Sequence, residues 1–207
     1  ARLSAPQEWG EISSATSSSS AVWVASSGLG LSQVDLPASA PLETKCCAAS
    51  ALALGSSLDS AQEVSAMLWV EQWQKLFVGT PLAFYTYSFA GSPLSQVSVS
   101  HEWVGAIVDT APLDMAYEPS QDALWVVEAQ ALHKRTADGR LWRIGQRQGT
   151  PTANLASVAV GQGFVWVGSE FGVARVAADH SAAQQVGVSG DTASHGRYTA
   201  KDPWQWS

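Results

Sequence analysis

Apolar residues in this chain fall in short runs separated by clusters of turn formers, and the runs recur in one order. Four segments align without a gap: Val22-Trp23-Val24-Ala25-Ser26, Leu76-Phe77-Val78-Gly79-Thr80, Leu124-Trp125-Val126-Val127-Glu128 and Val165-Trp166-Val167-Gly168-Ser169. Their aromatic residues stand 54, 48 and 41 positions apart. A few residues on, each is followed by a second extended run: Gly30-Leu31-Ser32-Gln33-Val34, Ala83-Phe84-Tyr85-Thr86-Tyr87, Ala131-Leu132-His133-Lys134-Arg135 and Gly172-Val173-Ala174-Arg175-Val176. Runs of this length, rich in β-branched and aromatic residues, predict two strands joined by a tight connection, four times over.

A third candidate strand precedes each pair, at 12–16, 63–69, 113–117 and 155–160, and turn formers such as Glu118-Pro119-Ser120-Gln121-Asp122 and Gly161-Gln162-Gly163 follow it. A fourth follows each pair, at 42–47, 94–100, 140–144 and 184–188. The units therefore run over about 12–47, 63–100, 113–144 and 155–188, leaving a tail at 189–207. Four-stranded antiparallel units at periods of about 40 to 50 residues are the signature of a β-propeller, whose blades bury one another's faces. The fold expected is thus all-β, with four four-stranded blades in a single domain over 1–207, complete or part of a larger propeller. An aromatic at one position of every unit marks packing: Trp23, Phe77, Trp125 and Trp166 are expected to fill the spaces between blades.

The last unit carries a resemblance. Ser157-Val158-Ala159-Val160, a Gly turn, Val165-Trp166-Val167-Gly168-Ser169 and the Gly-led strand from Gly172 are similar to the two-component-regulator type of propeller repeat. That repeat reads apolar strand, turn, Leu-Trp-Val-Gly-Thr, then a strand opened by Gly. The second unit matches at Phe77-Val78-Gly79-Thr80, whereas the first and third have Ala25 and Val127 in place of the Gly. The resemblance implies an extracytoplasmic ligand-sensing region; similar propellers occur in polysaccharide lyases and scaffold proteins. Such repeats specify a fold far better than a function.

Composition narrows the partners. Eleven Lys and Arg against eighteen Asp and Glu leave a net charge of −7 over 207 residues, with no basic track for a phosphate backbone, so nucleic acid is not expected. The longest mainly apolar stretch, 48–58, falls far short of the roughly 20 residues a membrane-crossing helix needs. The four His, at 101, 133, 180 and 195, show no metal-ligand spacing, and no nucleophile elbow, phosphate loop or calcium loop is present. Neither metal nor cofactor is expected. Cys46 and Cys47 are adjacent on a predicted strand, where alternation sends them to opposite faces. Reduced thiols, or one thiol paired outside this chain, are the alternatives.

In a propeller, the connections from the outer strand of one blade to the inner strand of the next cross one face, where ligands usually bind. Here they are 48–62, 101–112 and 145–154, with the tail in the equivalent place. The first suits a short packing helix over 48–54. The second carries His101, Glu102, Trp103 and Asp109, a mixture suited to acid/base chemistry or sugar stacking, or to plugging the ring. The third offers Gln146, Arg147 and Gln148, and the tail offers His195, Arg197, Tyr198 and Trp204. From these come the candidate ligand-binding residues: His101, Glu102, Trp103, Asp109, Arg147, His195, Arg197, Tyr198 and Trp204. No residue is assigned a catalytic role, and His133, where other units have Tyr85 and Ala174, is read as a blade-surface residue.

The expected function is a non-catalytic binding or interaction module presenting its face to a glycan, small ligand or protein. The alternatives are a polysaccharide-acting enzyme, whose groups would come from several blades, and the extracytoplasmic sensing region of a receptor. The expected location is extracellular, luminal or periplasmic. End blades of an open arc would need covering, so a longer chain or an oligomer is expected to complete the ring.

Overall fold

The short apolar runs form strands, and each recurring unit folds as an antiparallel sheet whose strands neighbour one another in chain order. The computed structural model describes residues 11–26, 30–36, 49–51, 64–81, 83–91, 95–103, 111–145, 150–151, 154–179, 182–186 and 197–199. Cys46 and Cys47 lie outside them. The chain divides into two compact units, Ala1–Trp103 and Val104–Ser207, each containing two sheets.

In the first unit, β1 (Ile12–Ser17), β2 (Ala21–Ser26), β3 (Gly30–Asp35) and β4 (Ala49–Ala51) make the first sheet. The second sheet comprises β5 (Ala66–Val70), β6 (Lys75–Gly79), β7 (Ala83–Ala90) and β8 (Ser95–Trp103). A single 3-10 turn, Glu71–Trp73, joins β5 to β6 and closes through Gln74 in the left-handed region at φ 50°. In the second unit, β9 (Asp114–Glu118), β10 (Ala123–Val127), β11 (Leu132–Thr136) and β12 (Leu141–Ile144) form the third sheet. The fourth contains β13 (Leu155–Gly161), β14 (Phe164–Ser169), β15 (Gly172–Ala177), β16 (Ala182–Val186) and β17 (Arg197–Thr199). The β13–β14 hairpin turns on Gln162 and Gly163, both at positive φ, the two-residue geometry whose twist suits flanking strands.

Three boundaries differ from the sequence reading. Ala49–Ala51, expected in a helix, is strand β4, paired with Ser32, Gln33 and Val34 of β3. Strand β8 runs through His101, Glu102 and Trp103, expected in a connection, because β7 is long enough to keep pairing with them. The tail supplies a fifth strand, β17, on the free edge of β16, which answers the edge strand's unpaired backbone groups.

Register shows how closely the sheets are related. The row Leu68, Phe77, Thr86 of the second sheet recurs 48 residues later as Ala116, Trp125, Lys134 of the third. The pairs Thr16 with Trp23 and Ala159 with Trp166 match likewise, and β1 and β13 share a bulge at the same place, between Ile12 and Ser14 and between Leu155 and Ser157.

Packing within each unit follows one rule: the aromatic residue of the leading sheet is covered by the next sheet. Trp23 stacks on Trp69 with centroids 4.4 Å apart, and Phe89 meets both edge-on at 5.4 and 5.6 Å. Leu31, Met67, Leu76, Val78, Tyr85 and Tyr87 complete that core. In the second unit Trp125, Val127, Leu132 and Ile144 cluster with Leu155, Val158, Val165, Val167 and Val176. The first strands of paired sheets lie side by side, β1 with β5 and β9 with β13. Each junction is pinned by a side chain: the Trp69 N–H donates to Thr16 Oγ1 (3.2 Å), and the Val158 N–H to Asp114 Oδ2 (2.8 Å).

Trp23, Phe77 and Trp125 are buried as expected, at 0%, 2% and 0% exposure. Trp166 departs from the pattern and is only partly buried, because it lies on the face of the fourth sheet turned away from the third. Replacing Trp125 by Ala is therefore expected to cost roughly 3–5 kcal/mol, the usual range for a large core truncation. Replacing Trp166 should cost less than half as much. Urea melts showing equal losses would contradict this difference.

Candidate functional site

The last position of each aromatic run, which ends β2 and β14 and directly follows β6 and β10, is occupied by Ser26, Thr80, Glu128 and Ser169. In two sheets a hydroxyl there closes the turn. Thr80 Oγ1 donates to the Ala83 carbonyl and accepts its N–H, both at 3.0 Å. Ser169 Oγ donates to the Gly172 carbonyl (3.1 Å) and accepts from the Phe171 N–H (3.2 Å). In the third sheet the backbone closes the turn, the Glu128 N–H donating to the Ala131 carbonyl at 3.0 Å. The second sheet makes the same backbone bond, from the Thr80 N–H to the Ala83 carbonyl at 3.0 Å, so what sets the third sheet apart is its carboxylate.

Glu128 is fully buried, and its Oε1 accepts from His133 Nε2 at 3.0 Å and from an Arg143 guanidinium nitrogen at 3.5 Å. His133 and Arg143 are direct cross-strand partners of β11 and β12, in the row that also holds Met115 and Val126. Burial in a medium of low polarity demands pairing for such charges, and one carboxylate between two bases supplies it. His133 is 3% exposed and so is no blade-surface residue, the correction being that its ring turns toward Glu128. Where Glu128 is ionised its carboxylate can only accept, and the tautomer that pairs with it carries its proton on Nε2. His133 Nδ1 is buried and has no hydrogen-bond partner.

This constellation sits at the end of the third sheet from which β12 leaves and β13 begins. Asn154 and Leu155 fasten that end, their N–H groups donating to the Ala129 carbonyl at 2.7 and 3.0 Å. Chemically, Glu128 orients the imidazole through Nε2 and holds it in the interior of the sheet. Arg143, 35% exposed at its side chain, is the member of the trio within reach of solvent.

On the opposite face of the same sheet, Lys134 is buried between two indoles. Its ammonium lies 5.4 Å from the Trp125 ring and 5.7 Å from Trp142, and donates to the Ala178 carbonyl at 2.8 Å. Burial pulls its pKa down, opposed by the charges of Asp179 and Glu118. Arg175 holds the equivalent register position in the fourth sheet, 4.2 Å from the Phe164 ring and 5.8 Å from Trp166. These cations brace aromatic residues and complete the packing.

A shallow recess of about 280 Å³ lies at the other end of the third sheet, lined by Gln121, Asp122, Thr136, Asp138, Arg140 and Trp142, among others. Its polar groups serve its own turns. Tyr117 donates to Asp122 at 2.6 Å, and burial first, then that bond, lifts its pKa to about 12. Arg140 pairs with Asp138 at 3.0 Å, both more than half exposed, and such pairs contribute little.

Among the residues singled out from sequence, His101, Glu102 and Trp103 are brought into β8 opposite Tyr85, Phe84 and Ala83. Arg197 and Tyr198 are in β17 opposite Gln184 and Ala183. Asp109, Arg147, His195 and Trp204 lie outside the described residues. No group of three or more His, Cys, Asp or Glu that could hold a metal occurs among the described residues. Nor, among them, is any helix long and apolar enough to cross a membrane.

No family model and no curated protein matches the chain. Solved structures do resemble its fold. Two are of the extracellular domain of BT4673 from B. thetaiotaomicron, assigned to a one-component system in one case and to a hybrid two-component system in the other. They align with TM-scores of 0.58 and 0.60 at 16% and 14% identity, over 79% and 92% of this chain. The chain spans only 21% and 23% of those structures' length.

Removing Glu128 should leave the buried His133 Nε2 without its acceptor and the part-exposed Arg143 without its carboxylate, so Glu128→Ala is expected to destabilise by roughly 1–3 kcal/mol. The double variant Glu128→Thr, His133→Tyr installs the pair that the second sheet carries at Thr80 and Tyr85 and should recover most of the loss. Denaturant unfolding measures both. A loss below about 1 kcal/mol for Glu128→Ala would show that the trio is not energetically coupled.

Proposed function

We propose that this chain is a stretch of extracytoplasmic β-propeller that binds a ligand without transforming it, as the recognition part of a receptor-type ectodomain. The observation that carries the reading is the likeness of its four successive antiparallel sheets to extracellular domains of a one- or two-component system. Stacking in both units supports it: adjacent first strands, with each leading aromatic covered by the next sheet, are what consecutive propeller blades require.

The ligand surface we assign is the end of the sheets that bears the inter-sheet connections. His101, Glu102, Trp103, Asp109, Arg147, His195, Arg197, Tyr198 and Trp204 are its candidates, and Arg143, anchored through Glu128, is added to them. Side chains of these types, Trp and Tyr together with Arg and His, suit a glycan or a carboxylate-bearing ligand. A polysaccharide-acting enzyme would need its base to meet substrate, whereas His133 is 3% exposed and held by Glu128. That geometry removes His133 from the candidate bases.

A panel of acidic and neutral glycans and of peptides tests the reading. Binding is expected to fall at least about tenfold, or 1.4 kcal/mol, when Trp103, Arg147 and Arg197 are replaced together by Ala. No new reducing or unsaturated ends should appear during incubation. Binding that survives the triple replacement would move the surface elsewhere, and chain cleavage would replace the binding reading by the enzymatic one.

A further inference from the structure

The fourth sheet exposes a face that the other sheets bury. Its residues include Trp166, partly buried; Val173, 43% exposed; and Ser157 and Ala159, both exposed. Arg175 lies across the aromatic rings of the same face, over Phe164 and Trp166. At the equivalent register position Trp125 is fully buried against Val158, Val165, Val167 and Val176 of the following sheet.

The surface that covers Trp125 has a counterpart on the first sheet. On its side away from Trp23, Ala15, Val22, Val24, Ser32 and Val34 stand where Val158, Val165, Val167, Ala174 and Val176 stand in the fourth sheet. Ala15 is exposed and Val22 and Val34 are partly buried, while Val24 and Ser32 lie deeper. This face is small, β-branched and uncharged. One chain thus presents both halves of the interface by which its own third and fourth sheets pack.

We propose that the two halves meet between copies, the Trp166 face of one chain seating on the Ala15, Val22 and Val34 face of a second copy. The contact is head to tail, since the two surfaces differ. Arg175 presents no obstacle, because Lys134 at the same register position is accommodated between the third and fourth sheets. Burying Trp166 and Val173 would remove apolar surface of the fourth sheet from water. The pairing is independent of the ligand reading, because association and ligand capture are measured separately.

Sedimentation of the 207-residue chain tests it. The chain is expected to associate into multiples of 21.8 kDa. Val173→Arg and Ala15→Arg, both at exposed positions, should each remove association while leaving the circular dichroism spectrum unchanged. Mixing the two variants should restore a one-to-one complex, since each retains the half that the other has lost. A monomer at every concentration up to about 100 μM, well above the Kd of a specific standard-size interface, would overturn the proposal. So would failure of the mixture to associate. Association that survives either single variant would do the same, because it would show a like-with-like contact or a different surface.

Discussion

A four-stranded sheet with apolar residues on both faces cannot stand in water alone. Here that constraint is met by large flat side chains on the second strand. Trp23 lies flat on Trp69, and Trp125 is enclosed by the valines of the fourth sheet. An aromatic of this size buries roughly 150–250 Å², worth several kcal/mol, so one such contact outweighs any single hydrogen bond at the junction. The side-chain links from Thr16 and Asp114 then set which first strands lie beside one another. Within each unit, sheets that follow one another in sequence pack together, because each sheet is complete before the next begins.

The chain departs from its own repeat most sharply in the third sheet, at Glu128 and Lys134. A hydroxyl suffices to close the turn after β6 or β14, yet after β10 the chain spends a buried carboxylate. That carboxylate costs desolvation, which His133 and Arg143 offset. On the opposite face Lys134 replaces the neutral Thr86 of the second sheet and is sheltered by two indoles.

Much of this architecture was legible in the chain, because the repeat fixes both spacing and facing. The gapless runs around Trp23, Phe77, Trp125 and Trp166 are all strands, and each pairs with the run that follows it. What escaped were features that depend on length and partner. Period-2 alternation continues from Ser98 through Trp103, a signal that β8 extends, but only its long partner β7 shows that the strand is kept. Strand β17 has no apolar pattern of its own and exists by pairing with β16. Glu128 was visible as the one carboxylate among Ser26, Thr80 and Ser169, although its partners across β11 and β12 follow only from register.

The second strand of every sheet is its most secure element, since it is central, flanked on both edges and anchored by the aromatic. Native-state amide hydrogen exchange reads this strand by strand, because the slowest amides report opening at the cost of global unfolding. The amides of Trp23, Phe77, Trp125 and Trp166 are predicted to rank among the slowest of their own sheets, with Trp166 the fastest of the four because its face is partly open. Faster exchange at Trp23 or Trp125 than in the fourth strands β4 and β12 would contradict the central role of aromatic stacking.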